Sequence, residues 1–188
     1  MTDRNRSIAG SAVIISTTLL LSLLLGVIRK GPDAFAHLSL AYMYVSFCAA
    51  GAVFYSVLKY RGPRDMIFTV FIATLVHLLI FKVTVPGFFI EFFLYYAALG
   101  ASVMIYYRAV LPRLAAIRIG KFVVLAVILV ALYSGVTIIA SLFSNNRSLS
   151  QSLTGILTVH SFTGIALGLG LEIGELLTDR MFPGPGQR

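Results

Sequence analysis

His77-Leu-Leu-Ile-Phe-Lys82-Val-Thr-Val-Pro86-Gly87-Phe-Phe-Ile-Glu91-Phe-Phe-Leu-Tyr95-Tyr96 is the stretch on which the reading of this chain turns. Pro86-Gly87 punctuates two apolar runs with a tight turn. Crossing a hydrocarbon layer of roughly 30 Å takes about 20 predominantly apolar residues in a helix. The runs on either side, about 66–83 and 88–107, approach that length. They read as a helical hairpin, because lipid offers no partner for free backbone N–H and C=O groups. A histidine, a lysine, a glutamate and two tyrosines interrupt it. Ionisable groups are expensive in such segments and tend to face a bundle interior or a functional site.

The rest of the chain repeats this pattern. Apolar residues make up 59% of the 188 and charged residues 12%, against about 45–50% and about 25% in soluble domains. Six apolar runs are expected as helices: 8–28, 34–58, 66–83, 88–107, 122–143 and 153–177. Polar turns separate them, most clearly Lys59-Tyr-Arg61-Gly-Pro-Arg64-Asp65. A basic connection from Arg108 to Lys121 contains Pro112 and reads as an interfacial segment. The expected fold is a single all-α integral membrane domain over 1–188, a bundle of six transmembrane helices. The first run follows the basic Arg4 and Arg6 but is too long for a signal-peptide core. It counts as a membrane span.

Basic residues orient such a bundle, because they accumulate in cytoplasmic loops. With the N-terminus inside, Arg4, Arg6, Lys59, Arg61, Arg64, Arg108, Arg113, Arg118, Lys121, Arg180 and Arg188 are inner, and only Arg29, Lys30, Lys82 and Arg147 are outer. Both termini are therefore expected in the cytoplasm, in a bacterial cytoplasmic membrane. The net charge of +8 is explained by this bias and by contact with anionic lipid headgroups, so nucleic acid is not expected as a partner. Cys48 is the sole cysteine, which leaves no internal disulfide and no thiolate cluster. It reads as a small packing residue. Thr74-Leu-Val-His77 echoes Leu157-Thr158-Val159-His160, and three helices per half would make a weak 3+3 inverted repeat.

Four constellations carry whatever chemistry the chain has. Lys82, near the outer end of the third helix, is placed to pair with Glu91 at the start of the fourth, and Tyr95 shares the Glu91 face four residues on. His77 lies roughly 18 Å from the inner end of its helix and His160 roughly 12 Å from the outer end of the sixth. The two depths coincide near mid-membrane. His77, Glu91, Tyr95 and His160 are thus the candidate ligand-binding or proton-relay residues. Paired imidazoles also suit the axial positions of a b-type haem. Gly164, Gly168, Gly170 and Gly174 form a stripe fit for close helix packing, either within the bundle or against a membrane protein partner. Glu172, Glu175 and Asp179 crowd the end of the sixth helix, where acids oppose the helix dipole. Arg61, Arg64, Arg113, Arg118 and Lys121 are the expected counter-charges, with a carboxylate metal site as the rarer alternative.

No G-x-S-x-G, H-E-x-x-H, phosphate-binding glycine loop or C-x-x-C occurs, so hydrolytic, nucleotide and thiol chemistries lose their usual signatures and an enzyme is disfavoured. The best expectation is a transport or ligand-binding membrane component with a polar site in the outer half, between the third, fourth and sixth helices. The rivals are a structural or assembly subunit of a larger membrane complex, and a haem or quinone electron carrier. In outline the layout is similar to the substrate-capture subunits of energy-coupling-factor importers. Their alanine-x3-alanine contact in the first helix is missing: Ala9 is followed by Val13, and Ala12 by Ser16.

Overall fold

A computed structural model describes residues 3–30, 38–80, 86–113, 120–143 and 149–182, and all its regular structure is helical. The helices are α1 (Asp3–Lys30), α2 (Leu38–Tyr60), α3 (Pro63–Ile80), α4 (Pro86–Ile105), α5 (Lys121–Phe143) and α6 (Leu149–Met181). The expected runs lie within five residues of these at the described ends. The exception is the segment after α4. It was expected as an interfacial connection from Arg108, but the helix continues through a five-residue π turn, Tyr106–Val110, into Leu111–Arg113. Proline inside a helix lacks an N–H and clashes with the carbonyl four residues back. The wider turn just before Pro112, in which Leu111 N–H reaches Tyr106 O, loosens the backbone there, as π bulges do. Residues 114–119 lie outside the described ones.

The α2–α3 turn shows sequence and geometry in agreement. Gly62 adopts φ +108°, a left-handed conformation that costs glycine nothing. The N–H groups of Arg61 and Gly62 both bond to the Val57 carbonyl, at 2.8 and 3.0 Å, closing the end of α2 in the manner of a glycine C-cap. Pro63 then opens α3, a position where its missing N–H has no cost.

Close contacts fix the helix directions. A side chain at Gly174 or Gly170 would meet Ile14 or Thr18 of α1, and one at Gly168 or Gly164 would meet Phe122 or Ala126 of α5. The numbers rise on one helix as they fall on the other, so α6 runs antiparallel to both. Gly51 against Leu167 and Lys59 against Glu175 show α2 running parallel to α6. Gly100 against Val70 and Tyr96 against His77 make α3 and α4 antiparallel. The chain therefore alternates in direction. Gly10 lies beside Tyr60 and Thr178, which brings the start of α1 and the end of α6 to one end of the bundle. Alternation alone inverts one half relative to the other, so it lends no weight to an internal repeat. Helix α2 is the hub: it packs on α1, α3, α4 and α6, and Phe47, Cys48, Ala52, Phe54, Tyr55 and Leu58 are all buried.

The surface is apolar over large areas. On α3 the exposed residues include Ile67, Phe68, Phe71, Leu75, Val76 and Leu79, the last 77% exposed; on α1 Leu20 is 68% and Ile28 70% exposed. Three helical stretches among the described residues are long and apolar enough to cross a membrane: Asn5–Ile28, Phe92–Arg113 and His160–Met181. Phe122–Val136 is apolar but shorter. Inside, four buried hydroxyls satisfy themselves: Thr18, Thr74, Ser102 and Thr178 each donate to the carbonyl four residues back, at 2.7–3.0 Å. Such back-bonding lets a small polar residue sit in apolar packing.

Candidate functional site

The alternating directions bring one aromatic cluster together inside the bundle. Helix α3 supplies His77, which is 3% exposed. Its Nδ1 shares a 3.0 Å hydrogen bond with the Tyr96 hydroxyl of α4, the phenol donating when the imidazole proton is on Nε2. Tyr96 also bonds Ser46 on α2, and the Phe92 ring lies 4.5 Å from the His77 ring. Helix α6 supplies His160, which lies nearly flat on Tyr133 of α5, with ring centroids 3.8 Å apart and 29° between planes. Tyr95 of α4 stacks on Tyr133 from further off, at 5.5 Å and 10°. Phe47 of α2 joins the two halves. Its ring centroid lies 5.2 Å from Tyr96, 6.0 Å from Tyr133, 6.4 Å from His77 and 6.3 Å from His160.

Of the residues singled out from the sequence, His77, Tyr95 and His160 border this one cluster. The two histidines touch it from opposite halves, through Phe47 rather than through each other. The Glu91 side chain and all of Lys82 lie outside the described residues, so their ion pair is not part of this picture. Phe47, Tyr96 and Tyr133 were not anticipated as site members. Tyr133 had a signal: it is the one phenol in a helix otherwise almost wholly aliphatic. Tyr96 stands next to Tyr95, and helix spacing alone favours Tyr95, which shares the Glu91 face. Phe47 carried no signal, since an apolar ring in an apolar helix looks like packing. Cys48 is fully buried and its thiol lies 3.9 Å from the Thr163 carbonyl, which is what a packing residue does.

Two polar atoms here contrast with the self-satisfied hydroxyls of Thr18, Thr74, Ser102 and Thr178. Tyr133 is 0% exposed, and neither its hydroxyl nor the buried Nδ1 of His160 has a hydrogen-bond partner. More than about nine in ten buried polar groups do, and leaving one unmade costs about 1–3 kcal/mol. Face-to-face stacking prevents each from serving the other, because both polar atoms point out along the ring edges. Each can therefore bond a third group placed at its own ring edge.

The glycine stripe has a different use. Gly164 and Gly168 are filled by α5, and Gly170 and Gly174 by α1. All four pack helices of the same chain. At the end of α6, Glu175 pairs with Lys59 at 2.5 Å and bonds the Tyr55 hydroxyl. Loop arginines were expected in this role. The parallel register of α2 and α6 delivers Lys59 instead, two helix turns beyond the Gly51–Leu167 contact. Burial alone would push the Lys59 ammonium down, but the hydrogen bond and charge of Glu175 outweigh it and raise its pKa above the usual lysine value. No cluster of three or more metal-ligating side chains occurs among the described residues.

The chain matches no family model, no curated protein and no solved structure. The outline similarity to importer capture subunits gains nothing from these comparisons, and function is read from the site.

Proposed function

We propose that this chain is an integral membrane protein of six spans, with both termini inside, that binds a small ligand within the bundle as a transport or ligand-binding component. The alternating helices, the exposed apolar faces of α1 and α3 and the inner bias of basic residues support the membrane reading. A water-soluble protein rarely exposes contiguous apolar surface beyond a few hundred Å². The single observation that carries the binding reading is the unpartnered Tyr133 hydroxyl beside the unpartnered His160 Nδ1, inside a cluster that also holds the His77–Tyr96 bond. Thr18, Thr74, Ser102 and Thr178 spend their hydroxyls on their own helices, while the buried Ser56 and Tyr106 hydroxyls also lack a partner. In the cluster the two unpartnered atoms belong to rings stacked on each other.

Two measurements test this. Topology is read by single cysteines in a Cys48→Ala background: labels at residues 62 and 115 should be reachable only from the cytoplasmic side, and one at 84 only from outside. Binding is read by melting the detergent-purified chain against a panel of metabolites, amino acids and membrane-soluble cofactors. Ligands that stabilise it should lose their effect in Tyr133→Phe and His160→Phe while both variants stay folded. A panel hit insensitive to both substitutions defeats the assignment of the site.

The rival readings fare less well. The assembly-subunit reading leaned on the glycine stripe, which here faces α1 and α5. A haem needs a flat slot between imidazoles, whereas Phe47 packs against both rings and Tyr133 covers a face of His160.

A further inference from the structure

We propose that the ligand of this site is a planar six-membered ring carrying a hydroxyl or carbonyl on its edge, and that Phe47 is the gate that occupies its place. The proposal rests on the binding reading above and names its ligand class. Phe47 is 4% exposed and is walled by four rings from four other helices: His77, Tyr96, Tyr133 and His160. It meets Tyr133 at 88° and His160 at 78°, the edge-to-face arrangement aromatic rings prefer. The walls are therefore already shaped around one six-membered ring. That ring is a phenyl group and has no polar edge. Two of those walls, Tyr133 and His160, carry a polar atom with nothing to bond, the hydroxyl and Nδ1. A ring with an oxygen on its edge satisfies the walls as Phe47 does and also supplies the missing partner. A phenol or quinol hydroxyl can donate to Nδ1 or accept from the Tyr133 O–H; a quinone carbonyl accepts from either O–H or N–H. Phe47 sits on α2, which packs on α1, α3, α4 and α6, so its displacement is felt across the bundle, as a gate requires.

The test uses the full chain in detergent and in lipid nanodiscs, with ¹⁵N-histidine labelling. The probes are benzene, p-hydroquinone and a decyl-substituted benzoquinol. The wild-type His160 imidazole signal should move with hydroquinone and not with benzene. Tyr133→Phe should weaken hydroquinone binding about tenfold, the loss of one buried hydrogen bond. Phe47→Leu should tighten binding of both polar-edged rings, because the gate is smaller; Phe47→Ala is the second variant if Phe47→Leu packs back into the site. Preference for the decylated quinol in nanodiscs identifies a membrane-borne ring, and equal binding of both identifies a water-soluble phenolic. Equal response to benzene and hydroquinone overturns the polar-edge assignment. Silence of all three probes at His160, with other panel ligands still acting through Tyr133, overturns the ring class and leaves the binding reading standing. Silence of every ligand overturns both.

Discussion

The two halves of α6 make opposite use of the same apolar surroundings. From Gly164 to Thr178 the helix is engaged: glycines are filled by α1 and α5, Glu175 meets Lys59, and Thr178 bonds its own backbone. One turn before Gly164, His160 lies on Tyr133 with two polar atoms unserved. The engaged half holds the bundle together. The other half carries a cost that packing does not recover. Buried polar groups without partners mark a place where stability has been given up, and such places concentrate at binding sites.

Substitutions should separate the two halves by sign as well as size. The largest effect is expected from Gly168→Leu. Even a Cβ there would stand 2.6 Å from the Phe122 Cα, and overpacking against backbone costs about 3 kcal/mol or more. Thermal unfolding in detergent should show a severe loss; a mild one would mean that α5 and α6 are not packed as described. Tyr96→Phe should cost about 1 kcal/mol, the usual net worth of a hydrogen bond, or somewhat more if His77 is left unserved. Lys59→Met should cost less than about 1 kcal/mol, since both partners are about a quarter exposed and solvent screens the pair. Tyr133→Phe is the variant that sharpens the contrast. It removes an unbonded hydroxyl, so stability should stay level or rise by up to about 1 kcal/mol, while any ligand response falls. A clear destabilisation would show that the hydroxyl has a structural partner after all.

The smallest effect concerns pH. The folded Lys59 pKa is raised, so its contribution is complete below the unfolded lysine value of about 10.4 and is lost only as pH climbs through the higher folded value. The stability difference between wild type and Lys59→Met should therefore stay constant from pH 7 to 9.5. A difference that shrinks across that window would mean Lys59 loses its proton early and the pair is not what joins α2 to α6.

Helix number and approximate limits were legible in the chain because hydrophobic run length and polar punctuation are local properties. Lys59-Tyr-Arg61-Gly62-Pro63 announced its turn through residue chemistry alone: Gly62 takes the positive φ and Pro63 starts the next helix. The segment after Arg108 misled, because a proline was read as a break when the preceding π turn absorbed it. The candidate site was legible in part. Histidines and tyrosines in greasy helices are conspicuous wherever they fall, so His77, Tyr95 and His160 could be named without coordinates. Their neighbours could not. Tyr133 and Phe47 become site members only through which helix lies beside which, and apolar faces do not encode that in any one segment.

Sequence by itself determined that this chain is helical, largely apolar and punctuated into six segments, because backbone bonding and hydrophobic length act within each segment. Tertiary structure decided the register. It slid α2 along α6 until Lys59, not a loop arginine, reached Glu175, and it assigned the glycine stripe to α1 and α5. It also set Phe47 between the two histidine-bearing halves of the cluster and left the Tyr133 hydroxyl and His160 Nδ1 without partners. Those outcomes depend on how side chains from distant segments interlock, a property that no single segment possesses.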